Sequence, residues 1–144
     1  LQSYPILYSL WVAVKMIKDK EYIVYQGSEY TIEWYFDQKG ISKSFNYYQK
    51  LNKARRIQLL KLVKRLGDIG KIYNKELFRN EGEKIFAFKP KPDRYLCFFY
   101  TEKKVIITNA FTKKSQKIPK EEKEEAIKAM NDYQRRVEKG GYYG

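Results

Sequence analysis

Hydrophobic and polar positions alternate from Tyr30 to Phe36, with Tyr30, Ile32, Trp34 and Phe36 on one side and Thr31, Glu33 and Tyr35 on the other. That is the period of a half-buried strand. From Ser42 to Leu66 the spacing turns helical. Phe45, Tyr48 and Leu51 line one short helix, Ile57, Leu60 and Val63 line the next, and Asn52 falls between them as break and cap. Gly67 and Gly70 mark a loop, and the segment from Ile72 to Arg79 leads into Asn80-Glu81-Gly82, which reads as a turn. Lys84 to Phe88 and Arg94 to Tyr100 read as strands, parted by Lys89-Pro90-Lys91-Pro92-Asp93, where proline interrupts pairing. Thr101 to Lys104 then turns the chain into Val105-Ile106-Ile107, a buried strand carried to its end by Thr108 to Phe111. Pro119 suits the first turn of a closing helix. That helix opens on Glu121, Glu122, Glu124 and Glu125 and closes on Arg135, Arg136 and Lys139, as the helix dipole favours, before Gly140 and Gly141 end it. Strand, helix pair, three or four strands in an antiparallel meander, then helix: the order predicts an α+β fold.

The first residues stand apart. Ile6 to Ile17 is apolar, but Ser9 and Lys15 interrupt it and it falls short of the roughly 20 residues that span a bilayer. It lacks the basic start and small-residue cleavage site of a signal peptide. It reads as a packing extension, with a natural start at Met16 as the alternative, so residues 1–28 form an N-terminal extension and 29–140 the domain.

Composition then narrows the function. A chain of 144 residues is one ordinary domain with room for a core. Its net charge of +13 calls for a polyanionic partner or an acidic protein that masks the charge. A membrane surface fits less well, because no helix alternates cleanly between basic and strongly apolar faces. The lone Cys97 has no partner for an internal disulfide, which fits a reducing cytoplasm. With no histidine, the usual zinc ligands and the usual catalytic base are both missing.

Two segments hold the candidate chemistry. The second helix carries Lys53, Arg55, Arg56, Lys61, Lys64 and Arg65 with no acid from Lys50 to Gly67, a one-signed run that reads as a nucleic-acid face or as solvated charge. Val105 to Pro119 also lacks an acid and sets Lys113, Lys114 and the hydrogen-bonding Ser115 and Gln116 just past a strand, where a phosphate ester could be held. Read singly, Lys113, Lys114 and Lys117 are equally solvated loop charge, Arg79 a partner for Glu81, and Tyr73 a core residue.

The run from Asn109 to Tyr133, NAFTKKSQKIPKEEKEEAIKAMNDY, resembles the C-terminal signature of the phage Gp49-like or HigB-type toxins, a branch of the RelE superfamily. It joins Phe111, the Lys113-Lys114 pair, Gln116, Lys117 and Pro119 at fixed spacing to an acidic-then-basic helix, and the resemblance covers roughly Tyr30 to Arg136. It implies a RelE-like fold, an antiparallel sheet of about four strands packed against an N-terminal helix pair and a C-terminal helix. The family pattern further reads Glu-Leu-Arg, a short turn, then Tyr-Arg opening an aromatic strand. Glu76-Leu77 match, Phe78 stands where the arginine is expected with Arg79 one place on, and Lys84 stands for the strand's arginine, with Arg94 as a further source of a guanidinium.

The activity implied is that of a type II toxin, a ribosome-dependent messenger RNA endoribonuclease. The ribose 2′-hydroxyl attacks the adjacent phosphate without a metal or other cofactor. The residues implied are Arg79 and Lys84 as phosphate stabilisers, Lys113 and Lys114 as phosphate binders with one in proton transfer, and Gln116 as an orienting group. RNA contacts fall to Lys61, Lys64, Arg65, Tyr73, Arg94, Phe111 and Lys117, with base stacking by Phe111 or Tyr73. The implied partners are messenger RNA on the ribosome and a helix-turn-helix antitoxin, in the cytoplasm, with a homo-oligomer left open. A non-catalytic RNA- or DNA-binding module of the same fold is the alternative, and a protein-interaction module a third.

Overall fold

The computed structural model describes residues 21–101 and 103–144, so the expected extension at Ile6 to Ile17 lies outside the described residues. In chain order come β1 (Ile23–Gln26), β2 (Thr31–Trp34), α1 (Lys43–Gln49), α2 (Lys53–Ile69), β3 (Phe78–Gly82), β4 (Ile85–Phe88), β5 (Asp93–Tyr100), β6 (Lys104–Thr112) and α3 (Lys120–Glu138). The architecture is α+β, with the helix pair and the closing helix in the expected order. The sheet has six strands rather than about four, ordered β1-β2-β6-β5-β4-β3. It is also mixed: β3 to β6 form the antiparallel meander, while β2 runs parallel to β6.

The added strands have local causes. β1 falls in the stretch assigned to the extension, yet it pairs antiparallel with β2. β3 occupies the residues read as a turn, and the chain reverses instead at Glu83-Lys84, both with left-handed φ (54° and 70°). A two-residue hairpin loop wants positive φ at both positions, which Asn-Gly usually announces and Glu-Lys does not.

The two faces of the sheet follow strand alternation. One buries Ile32, Trp34, Phe88, Tyr95, Cys97 and Ile107 under α1 and α2; the other buries Ile85, Ala87, Leu96, Phe98 and Ile106 under α3 through Ala126, Ala129, Met130 and Tyr133. α2 turns a different stripe inward from the one its sequence suggested. Leu59, Leu62, Val63 and Leu66 are buried, at i, i+3, i+4 and i+7, whereas Ile57 and Leu60 are 39% and 37% exposed. Asn52 caps it as expected, its side chain accepting the Arg55 N–H at 2.9 Å. At the other end, a Cβ on Gly27 would sit 2.2 Å from the Gly67 carbonyl carbon, so only glycine fits at that point of the β1–β2 turn. Pro119 occupies the cap position of α3 rather than its first turn, and Gly140 (φ 76°) closes that helix, donating to the Val137 carbonyl at 3.0 Å.

Candidate active site

The site is built where β4 ends, β5 begins and β6 ends. Phe88 pairs with Tyr95 at the end of the β4–β5 ladder, so Lys89 follows that last pair on one side and Arg94 precedes it on the other; Arg94 in turn pairs with Phe111, and Asp93 with Thr112. The Lys113 N–H donates to the Pro92 carbonyl at 2.8 Å, which ties the start of the lysine loop to the start of β5. Alternation sends Asp93 toward α1 and α2 and Arg94 toward α3.

Asp93 fixes this corner. Its carboxylate is fully buried and receives the Arg55 guanidinium through Nε at 3.0 Å and through Nη2, as well as the Tyr47 hydroxyl. Tyr47 also bonds the Thr112 hydroxyl at 2.7 Å, so both helices and both strand ends converge on one carboxylate. Such a group is stable in the interior only because each oxygen is paired.

On the other side lies Arg94, while Lys89 lines the α2-side groove with Lys61 and Arg65. Arg94 is 6% exposed and donates from Nη1 to the Asp93 carbonyl at 2.9 Å. Burial lowers its pKa, against the pull of Glu81, Asp93 and Glu76. Lys89 is half-buried, with Nζ 3.1 Å from the Lys75 carbonyl. Its pKa falls below the ordinary lysine value through burial and then through the charge of Arg94, with Arg79 adding to the effect and Glu81 and Glu76 opposing it. Arg79 is exposed on β3 opposite Ala87. Burial thus weakens the Lys89 ammonium, and the charges of Arg94 and Arg79 add to the effect.

Lys84 does not join these cations. It sits exposed in the β3–β4 hairpin loop, at the end of β4 away from Lys89, and at about 3.3 Å per residue that strand separates the two by roughly 16 Å. The expected convergence of Lys113 and Lys114 with both Arg79 and Lys84 does not form at Lys84. Lys89 was passed over in favour of Lys84, which the family pattern put in the place of the strand's arginine. With Asp93-Arg94 opening β5 and Phe88-Lys89 closing β4, two cations fall at neighbouring strand ends.

The remaining residues are scattered around this corner. Lys113 is half-buried, while Lys114, Gln116 and Lys117 are exposed in the loop before α3. Phe111 is half-buried among the α3-side apolar groups with Ile118. Tyr73, weighed as a core residue, is 83% exposed and carries the Lys71 ammonium 5.9 Å from its ring centre. Lys61 and Arg65 line an open groove shared with Lys89, Lys91 and Glu76. Lys64 is engaged elsewhere, with Asp68 at 2.7 Å and the Tyr25 hydroxyl at 3.2 Å.

A buried guanidinium, a weakened ammonium and further lysines at one sheet end can bind a phosphodiester and move a proton beside it. The pairs that set this corner, from Tyr47 on α1 to the start of α3, fall inside one stretch of chain. No curated protein matches the sequence. A model of the phage-derived protein Gp49-like family (DUF891) matches residues 46–131, more than half of the 144, and the chain belongs to that family.

Proposed function

We propose that this protein, a toxin–antitoxin-related module by its family, is an endoribonuclease that cleaves messenger RNA on the ribosome. The observation that carries the reading is that Lys89, just past β4, lies near enough to Arg94 at the start of β5 and to Arg79 on β3 for their charges to add to the weakening of its ammonium, with the lysine loop tied to the same corner through the Lys113 N–H. In the reaction the 2′-oxygen forms a bond to the adjacent phosphorus and the bond from phosphorus to the 5′-oxygen breaks. The 2′-proton passes to the Lys89 amine, whose pKa is lowered, and the Lys113 ammonium protonates the leaving 5′-oxygen, giving a 2′,3′-cyclic phosphate and a 5′-hydroxyl. Arg94 and Arg79 stabilise the charge that builds on the phosphorane, and Arg94 is already held in place by its bond to the Asp93 carbonyl. A lysine whose pKa has moved toward neutrality suits proton transfer better than an ordinary one. Lys114, Gln116 and Lys117 hold the flanking strand, and Phe111 stacks on a base beside Arg94. An antitoxin neutralises the protein by covering this basic corner.

The test is induced expression in bacteria, followed within minutes by mapping of messenger RNA 5′ ends. Wild type should arrest growth and produce new 5′-hydroxyl ends; Lys89→Ala, Lys113→Ala and Arg94→Lys should each lower cleavage on the order of 10²–10³-fold while the protein stays folded. Intact messages from a folded wild-type protein that still binds RNA would move the assignment to a non-catalytic binding module.

A further inference from the structure

A second feature lies round the edge strand from that corner, on the face of the sheet opposite Arg94. Past the end of α2 the helix layer stops, and the floor beneath is aromatic: Phe78 and Phe86 stack with ring centres 5.6 Å apart and nearly parallel (9°), and Phe99 stands edge-on to Phe86 at 4.9 Å. Phe86 and Phe99 are only half-buried, so part of each ring is open to a visitor. Over them lies an open groove of about 520 Å³ whose polar rim consists of Lys71, Tyr73, Lys75, Arg79 and Asn80, with no carboxylate among the described residues lining it. Tyr73 stands at the mouth as the most exposed large apolar side chain among the described residues, and the Lys71 ammonium already lies beside its ring.

From this we infer that the groove is a subsite for an unpaired nucleobase of single-stranded RNA, seated between Tyr73 and the phenylalanine floor with its phosphates on Lys71, Lys75 and Arg79. Aromatic rings bind any base through its flat face, and a rim of cations without acids suits the attached backbone. A membrane surface or an acidic peptide would be drawn by the same charge, but stacked rings inside a groove serve a flat ring best. Arg79 supplies the continuity. It lines the groove and also lowers the Lys89 pKa, so one strand can pass from the groove over the β3 edge to the corner that holds Lys89 and Arg94. The inference rests on the RNA reading above and extends it to a base several nucleotides from the cleaved bond.

The experiment measures binding rather than cleavage. A 2′-O-methyl oligoribonucleotide, which cannot undergo 2′-attack, and an abasic strand of equal length and charge are titrated against the whole protein and against Tyr73→Ala and Phe86→Leu. Tyr73 is solvent-exposed and leucine keeps the apolar volume of Phe86, so both variants should melt near wild type. The base-bearing strand should bind each variant about 10-fold more weakly or worse, while the abasic strand binds unchanged. Unchanged affinity, or an equal loss for both strands, overturns the inference whether or not the protein cleaves RNA. The expected pattern in a protein that cleaves nothing would keep the subsite and remove the ribonuclease.

Discussion

Asp93 decides whether the corner exists. Its buried carboxylate gathers Arg55, Tyr47 and, through Tyr47, Thr112, while its own carbonyl holds Arg94. Replacing it by alanine leaves a guanidinium and a phenol without their acceptor. Because breaking a buried pair costs more than the pair contributes, Asp93→Ala should lower stability by about 3 kcal/mol, read from the midpoint of urea unfolding. A loss under about 0.5 kcal/mol would mean that the corner is held by packing alone. At this scale the sequence was legible in part. Phe111, Lys113 and Lys114 could be picked out as a run because strand end and loop are contiguous, and Arg94 was noticed. Lys89 was not, since its value comes from nearness to Arg94 and Arg79, and contact between strands leaves no local mark.

At the scale of elements, α3 is clamped to the end of β2 through Asp132. This carboxylate accepts from the Tyr35 hydroxyl, from Gln38 Nε2 at 2.8 Å, and from Arg135 and Arg136 at 2.7 Å each. Burial opposes its ionisation, but the hydrogen bonds from Tyr35, Gln38 and Arg136 outweigh it, and the pKa lies below the ordinary aspartate value. A depressed carboxylate contributes stability that is present above the unfolded pKa and lost as pH falls through the folded one. Asp132→Asn should therefore lower the melting temperature clearly near neutral pH and by less and less below the ordinary aspartate range. A gap between the two proteins that stays constant down to strong acid would refute the clamp. Capping was readable where side chains act on their own backbone, as at Asn52, and where charge sorts along a helix, as in α3. The buried stripe of α2 was not, because Val63 belongs to both readings and only the sheet beneath selects Leu59, Leu62 and Leu66 over Ile57 and Leu60.

For the molecule as a whole, 30 lysines and arginines against 17 acids dominate the long-range field. RNA affinity should fall linearly with salt on a log–log plot, at about 0.7 in slope per phosphate contact on a single strand. Replacing Lys61 and Arg65 with alanine should reduce that slope by about 1.4 while leaving any base preference intact, which titration at several salt concentrations checks. A slope that does not move would place those two cations off the RNA path. Among the described residues no helix is long and apolar enough to cross a membrane. The α+β class was legible from the alternation of periods along the chain. The parallel contact of β2 with β6 was not, because it joins residues some seventy positions apart with no turn to announce it. That contact has a kinetic side. The sheet can close only after Lys104 to Ile107 have been made and have returned to Thr31 to Trp34, and pairings of such long range form slowly. While the chain is being synthesised, the strand ends that hold Arg94 beside Phe111 cannot exist until β6 has left the exit tunnel. A nascent copy therefore lacks this corner until β6 has emerged.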